Sequence, residues 1–466
     1  MDKRGAIMTP IDGKADSWEI TSLFHFIWRL GLVLVTILSA SRARAQETPP
    51  ANVPALLAQL VDTPGHSERQ RLAKKLARRK DIDLAAWKSA AERFRPLPTR
   101  QARGTLRTTA VDLEFPDGSL HKGDVDIWLP SRYDSAKPHP LILALHGTGG
   151  KGQGILGGWR DTAETAGAIV LAPTEPGPNR GFAATEAERQ AVLAALRWAR
   201  RHYNVDEDRI LITGFSRGGH LSWDVASRHP DLFAAVVPMV GAPRFDLRRG
   251  ANNFRYLENL VHTPIRDLQG AMDDPAMIWN LKEAEARMKS WGARDFELLI
   301  FPDRGHGVDW NAVDWPAFID QVHRRPLAPE VIRRFASKGE GRAFWVEGLI
   351  PSSKVKVEFR PRVKAEAWNR LDQEGKKRFL IDAALRRTAR IAAKRLQDGS
   401  FRVETYRVKR LRLLLPAAWI PPKGRVTVIK DGRRKTLTAR FSKLVLLSEF
   451  AERFDRRFLP VAEVRL

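Results

Sequence analysis

The middle of this chain predicts an α/β domain, a mostly parallel sheet flanked by helices, with a helical N-terminal pre-domain before it and a small β-rich C-terminal domain after it. Three observations carry that expectation. Between residues 104 and 325, short apolar runs alternate with amphipathic helical stretches, the connections between them are short, and a basic region with strand and hairpin signals follows. At 466 residues, two or three domains are expected, and 43% hydrophobic content supplies real cores rather than a disordered tail. The absence of cysteine excludes a disulfide scaffold, cysteine-ligated zinc or iron–sulfur and a thiol nucleophile. Charge is uneven: residues 331–466 hold 35 Lys and Arg against 14 Asp and Glu, a net of +21, out of +25 for the whole chain.

The elements follow in order. Residues 29–40 form an apolar stretch behind Arg29, too short to span a bilayer comfortably, and Ala43-Arg44-Ala45 before Gln46 is a small-x-small cleavage pattern. Residues 1–45 therefore read as an export signal, with an uncleaved anchor as the alternative and Met8 as a second possible start. The mature chain would be periplasmic or secreted, without a stable membrane span. Residues 46–102 form the helical pre-domain: Leu56, Leu57, Leu60, Leu72, Leu76, Leu84, Trp87 and Phe94 recur at helical spacing, with breaks at Gly65 and Lys80–Asp83.

The sheet-forming part spans residues 103–326. Thr105–Phe115 and Lys122–Leu129 read as paired strands about Pro116-Asp117-Gly118-Ser119. Further strands are expected at Leu141–Leu145, Ala168–Ala172, Ile210–Thr213, Ala234–Pro238 and Phe296–Phe301, with helices at Ala187–Tyr203, Leu221–Ser227 and Leu281–Trp291. The C-terminal domain takes residues 327–466 after a linker at Pro326–Glu330. Its strand-like runs include residues 343–350, Lys354–Phe359, Phe401–Thr405, Leu411–Leu415, Arg425–Lys430 and Lys435–Phe441. Residues 368–398 hold a helix or a long connection.

Chemistry concentrates at four places on the predicted sheet. Gly214-Phe215-Ser216-Arg217-Gly218, between a buried strand and a helix, is a nucleophile elbow that would hold Ser216 Oγ at the carboxyl edge of the sheet. His146-Gly147-Thr148-Gly149-Gly150 is a glycine-rich turn after a strand; its Thr148 N–H, with the N–H of Arg217, would make an oxyanion hole. His306, between Gly305 and Gly307 past a strand end, is the best-placed of 11 histidines to act as general base. His220 is expected to point away from the nucleophile, while His202, His229 and His323 read as surface residues. The orienting acid is Asp273, three residues after Gly270, with Asp274 as the alternative. The order Ser, Asp, His is that of the α/β-hydrolases. His146, Arg244 and Trp310 are candidates for substrate contact, and Arg248, Arg249 and Arg255 share the arginine-rich loop with Arg244.

These stretches, together with Tyr203-Asn204-Val205-Asp206 before the elbow and His229-Pro230-Asp231-Leu232-Phe233 after it, resemble the α/β-hydrolase family over residues 104–325. Within that family the chain is similar to exported serine esterases such as polyhydroxybutyrate depolymerases, feruloyl esterases and dienelactone hydrolase-like proteins. The resemblance implies an α/β-hydrolase fold, a serine acyl-enzyme, no metal and no organic cofactor. Two positions depart from the pattern: Gln269 stands where a histidine is usual, and Arg217 where a small residue or Gln is usual.

The leading expectation is a serine hydrolase of carboxylic esters acting on a small-molecule or polymer ester. One alternative is a serine peptidase of the prolyl-oligopeptidase type using the same three residues. A second is an anionic-polymer-binding protein with a vestigial hydrolase fold. The basic C-terminal domain suggests contact with an anionic polysaccharide or cell surface, while nucleic acid is disfavoured, since no recognition motif is present.

Overall fold

Eight strands build the central sheet: β1 (Thr105–Glu114), β2 (Leu120–Leu129), β3 (His139–Leu145), β4 (Ile169–Pro173), β5 (Val205–Phe215), β6 (Ala235–Met239), β7 (Ile265–Gly270) and β8 (Phe296–Phe301). The structure is a computed structural model, and the residues it describes are 52–98, 100–176, 183–245 and 252–466. The expected export signal lies outside them, as do Arg248 and Arg249. Strand order is β1-β2-β4-β3-β5-β6-β7-β8, with β1 and β2 antiparallel to their neighbours and every later pairing parallel. This is the α/β-hydrolase fold.

The central strands are apolar throughout because both faces are covered. Leu141–Leu145, β4 and β6 are buried at every position. One face packs against α5 (Glu186–His202), α6 (Arg217–Arg228) and α7 (Pro275–Ser290) through Leu196, Trp223 and Leu281. The other packs against α4 (Gly152–Ala166) and α8 (Trp315–Gln321) through Trp159, Trp315 and Phe318.

Ahead of the sheet lie α1 (Val53–Asp62), α2 (His66–Ala77) and α3 (Leu84–Glu92), broken where Gly65 and the Lys80–Asp83 stretch predict. These helices do not make a core by themselves. Leu57, Leu60, Leu76, Trp87 and Phe94 pack with Leu446, Leu447, Phe450 and Phe454 of α11 (Lys443–Arg453) at the far end of the chain. Phe94 meets Phe450 and Phe454 edge to face, with ring centroids 5.6 and 5.1 Å apart.

After the eight-stranded sheet, β9 (Glu330–Phe335), β10 (Arg342–Ala343), β11 (Val346–Pro351), β12 (Ala389–Arg395), β13 (Phe401–Tyr406), β14 (Val408–Leu415), β15 (Arg425–Lys430), β16 (Arg433–Thr438) and β17 (Ala462–Arg465) form two further sheets. A four-stranded sheet, β10-β11-β14-β17, and a five-stranded sheet, β16-β15-β13-β12-β9, enclose Phe335, Trp345, Phe401 and Leu413. Residues 354–359, expected as a strand, are irregular. Their Lys-Val alternation buries only Val355, and their backbone bonds are a local turn, Val355 N–H to Ser352 O (3.0 Å), and one link, Lys356 N–H to Arg387 O (3.0 Å), which make no ladder. The ambiguous 368–398 stretch resolves into α9 (Ala365–Asn369), α10 (Gln373–Leu385) and strand β12.

Buried ion pairs join this part to the eight-stranded sheet. The Arg324 guanidinium donates to Asp455 Oδ2 (2.6 Å), Asp208 Oδ1 (2.9 Å) and Asp231 O (2.8 Å). Arg456 donates to Glu207 (2.6 Å) and Asn204 (2.8 Å). His229, expected at the surface, is half-buried here; burial first and Arg453 second push its pKa down to about 4. Burial alone would raise the Asp455 carboxyl, but Arg324 outweighs it and holds the group at about 2.

The replacement Arg324→Met leaves Asp455 buried without its cation. It is expected to cost about 3–5 kcal/mol in urea unfolding at neutral pH. The folded-state pKa of Asp455 is depressed, so its stabilisation is full above the ordinary value of 3.8 and is lost as pH falls towards about 2. The gap between parent and variant should therefore narrow over that window.

Candidate active site

Ser216 sits at the junction of β5 and α6 with φ 56° and ψ −115°, a conformation rarely tolerated by a side-chain-bearing residue. Its N–H donates to Met239 O (2.9 Å) and its carbonyl accepts from His220 N–H (3.0 Å), so the turn is bonded to the end of β6 and to its own helix. Glycines let these backbones meet: a Cβ on Gly218 would lie 2.0 Å from Leu145 O, and one on Gly241 2.7 Å from Ser216 O. The predicted elbow is therefore a crossing of three strand ends.

His306 reaches that point from the loop after β8. Its Nε2 lies 2.8 Å from Ser216 Oγ and its Nδ1 lies 2.8 Å from Asp273 Oδ2. An ionised carboxylate only accepts, so Nδ1 carries the proton and Nε2 accepts from the serine hydroxyl. The acid loop and the histidine loop are stitched together by Ala271 N–H to Phe301 O and Met272 N–H to Arg304 O, both 2.9 Å. Gly270 is required where they cross, since a Cβ there would stand 1.9 Å from Gly305 O. The Phe215 ring meets the His306 ring edge to face at 5.7 Å.

The two candidate acids separate. Asp273 accepts from His306, from Gln269 Nε2 (3.0 Å) and from Asp274 N–H (2.8 Å). Burial opposes its ionisation, but these donors hold its carboxyl below the usual carboxylate range. Asp274 caps α7 instead, accepting from Ala276 N–H at 2.8 Å. Gln269, which departs from the family pattern, thus supports Asp273 by a hydrogen bond that sequence alone does not reveal.

The glycine-rich turn after β3 lies against the elbow, where a Cβ on Gly147 would stand 3.3 Å from Ser216 Cβ. His146, a candidate for substrate contact, is 2% exposed and is taken up by backbone. Its Nδ1 donates to Gly147 O (2.7 Å) and its Nε2 accepts from Glu175 N–H (2.9 Å), while burial lowers its pKa. Gly150 N–H also donates to Gly147 O (3.1 Å). The carbonyl and amide of one trans peptide point opposite ways, so fixing Gly147 O aims the Thr148 N–H away from the His146 ring. Arg217 opens α6, where a backbone N–H has no intrahelical partner.

The other candidates diverge. Trp310 is half-buried in an aromatic cluster, 4.8 Å from Trp159 and 6.1 Å from Trp315, and its ring lies over Gly158. Arg244 is half-buried three residues beyond Gly241, donating to Ala183 O. Arg255 is fully buried, under Phe359 and donating to Lys356 O (3.2 Å), and so cannot receive a substrate. His220 is half-buried with Nδ1 2.7 Å from Ala242 O. Among the described residues no group of three or more metal-ligating side chains converges.

Fold and site together define an α/β-hydrolase domain with a Ser–His–Asp chain at the carboxyl edge of its sheet. A model described as the prolyl oligopeptidase family matches residues 184–250, the elbow and its flanks. The chain is 31% identical over 137 residues to "Probable feruloyl esterase C" of Aspergillus flavus, covering 28% of this chain and 50% of that protein. It is 31% identical over 153 residues to "Feruloyl esterase C" of Emericella nidulans, covering 31% and 56%. The chain thus spans about half the length of these curated relatives. The solved acetyl xylan esterase from Aspergillus awamori is 16% identical, with a TM-score of 0.38 over 46% of this chain and all of that one.

The separation of Asp273 from Asp274 is measurable. Asp273→Asn is expected to slow fluorophosphonate labelling of Ser216 by on the order of 10³–10⁴. Asp274→Ala should leave labelling near the parent rate and cost about 1 kcal/mol of unfolding free energy through the lost helix cap.

Proposed function

We propose that this chain is a serine hydrolase of carboxylic esters, with Ser216 as nucleophile, His306 as general base and acid, and Asp273 as the orienting acid. The unbroken chain of two 2.8 Å contacts from Asp273 to His306 to Ser216 carries the proposal. Ser216 Oγ attacks the ester carbonyl carbon as its proton passes to His306 Nε2. The carbonyl oxygen becomes an oxyanion, received by the amides of Thr148 and Arg217. Collapse expels the alcohol, which takes the proton from His306, and leaves Ser216 acylated. Water, deprotonated by His306, then attacks the acyl carbon; collapse breaks the bond to Ser216 Oγ, which takes that proton back from His306, and the acid is released. Asp273 keeps the imidazole in the tautomer that accepts at Nε2 and steadies the imidazolium. No step uses a metal or cofactor.

Esterase rather than peptidase is favoured by the names of the relatives, two of them feruloyl esterases. The match to a prolyl oligopeptidase model keeps the peptidase as the second reading. The small-x-small pattern at residues 43–45 supports an exported enzyme, and among the described residues no helix is long and apolar enough to cross a membrane.

Protein beginning at Gln46 is expected to label with a fluorophosphonate and to hydrolyse p-nitrophenyl esters. Ser216→Ala should abolish both together, with kcat falling by on the order of 10⁶. Turnover of aminoacyl amides in preference to esters would favour the peptidase.

We also propose that the C-terminal part holds an anionic polymer through the exposed Arg433, Arg434 and Lys435 on edge strand β16. Retention on immobilised polygalacturonate should vanish by about 0.5 M salt, and replacing all three cations by Gln should lower the eluting salt.

A further inference from the structure

The residue that follows the nucleophile is a cation, Arg217. Arg217 is half-buried, and among the described residues no carboxylate pairs with its guanidinium. Two arginines nearby are matched. Arg228 of α6 bonds Asp224 at 3.1 Å and also reaches Glu340. Arg189, packed across from it, bonds Asp224 at 2.7 Å and Glu186 at 2.6 Å. A guanidinium held partly out of water beside the nucleophile, with no carboxylate on it among the described residues, is open to an anion from a bound molecule.

Its surroundings are positive as well. Arg217 and His220, three residues apart, share one stripe of α6. His220 Nδ1 abuts Ala242 O, at the start of the loop that carries Arg244. Burial first, and then Arg244 and Arg217, disfavour protonation of His220, so both guanidinium groups lie within electrostatic reach of one ring. The loop from Gly241 to Arg244 begins against Ser216 O, and Arg244 reaches across to Ala183 O before α5. Among the described residues Asp273 is the acid bonded to this site, and it is committed to His306, Gln269 and the Asp274 amide.

Resting on the esterase reading above, we infer that the substrate is an ester bearing a carboxylate close to the scissile bond, and that Arg217, assisted by Arg244, receives that carboxylate. Arg is suited to the task because its planar fork matches a carboxylate bidentately. The carboxylate can belong to the acyl part or to the alcohol part, and two substrate pairs separate these sources. p-Nitrophenyl hemisuccinate against p-nitrophenyl butyrate tests the acyl side; 4-acetoxybenzoate against its methyl ester tests the alcohol side.

At low salt the parent enzyme should favour the acid in at least one pair by about tenfold in kcat/KM, with the preference shrinking as salt rises. Arg217→Gln should remove most of that preference, Arg217→Lys should retain part of it, and Arg244→Gln should reduce it. A parent with no preference in either pair overturns the inference. So does Arg217→Gln slowing neutral and acidic esters equally, the result expected if the cation serves only the oxyanion. If Ser216 does not label and neither neutral ester is turned over by folded protein, the esterase reading itself fails. Neutral esters turned over without discrimination leave that reading standing and sink this one alone. Circular dichroism and a thermal melt on each variant keep misfolding distinct from lost recognition.

Discussion

The backbone of Ser216 is the constraint on which the rest of the site depends. A positive φ on a side-chain-bearing residue costs on the order of 1–3 kcal/mol and persists only where the surroundings over-determine it. Here the surroundings are the ends of β3, β5 and β6, which must be adjacent for Met239 O to receive the Ser216 amide and for Leu145 O to lie under Gly218. The strand order supplies that adjacency, and the glycines allow the approach. Strain at one residue therefore reports on the packing of three parallel strands.

A second constraint is electrostatic. The basic C-terminal region is less free a cation than its net charge suggests, because many of its arginines are matched. Arg412 bonds Glu347, Glu449 and Glu463; Arg342 bonds Glu449; and Arg334 and Arg390 close on Glu258 from the catalytic side. A buried carboxylate such as Glu258 would be left without a cation if these sheets separated from the catalytic layer. The same pairing holds α11 against the N-terminal helices, where Arg69 on α2 bonds Glu452 as well as Glu114 of β1. Three cations that stay exposed, Arg433, Arg434 and Lys435, lie on β16 at the edge of its sheet.

Much of this was legible in the sequence, and the exceptions share causes. The elbow, the histidine loop and the apolar strands were readable because each rests on local chemistry: glycines at a crossing, a histidine after a strand, period and composition. The choice of Asp273 over Asp274 was only half readable, since both neighbours follow Gly270 and the contact with His306 is made 33 residues away in sequence. Strand β12 was hidden by Ala389, Ala392 and Ala393, small residues of weak strand preference; Ala389 and Ala393 join a core that Trp345 and Phe401 fill. Residues 354–359 show the converse, since strand-like alternation makes no strand without a partner edge. His146 looked like a substrate contact and is a buried backbone brace, because nothing in the sequence indicates where the Gly147 carbonyl turns. The core shared by α1–α3 and α11 joins elements more than 350 residues apart, which no local pattern encodes.

Strand β7 explains why nucleophile, base and acid coincide. Trp223 of α6 donates to the fully buried Asp267 at 2.9 Å, fixing the nucleophile helix against β7. Burial pushes the Asp267 carboxyl well above the usual carboxylate range, against the pull of the Trp223 indole that donates to it. Two residues on, Gln269 points to the acid, and Gly270 lies under the carbonyl of Gly305 beside the histidine. The pairing of Ile265–Gly270 with Phe296–Phe301 runs residue for residue without a bulge. A slip of one position would carry Asp267 and Gln269 to the opposite face of the sheet. It would break the tie to α6 and the support of Asp273 in the same step, and it would displace the Gly270–Gly305 crossing. The register of one short strand therefore couples the helix that presents the serine to the loops that present its partners.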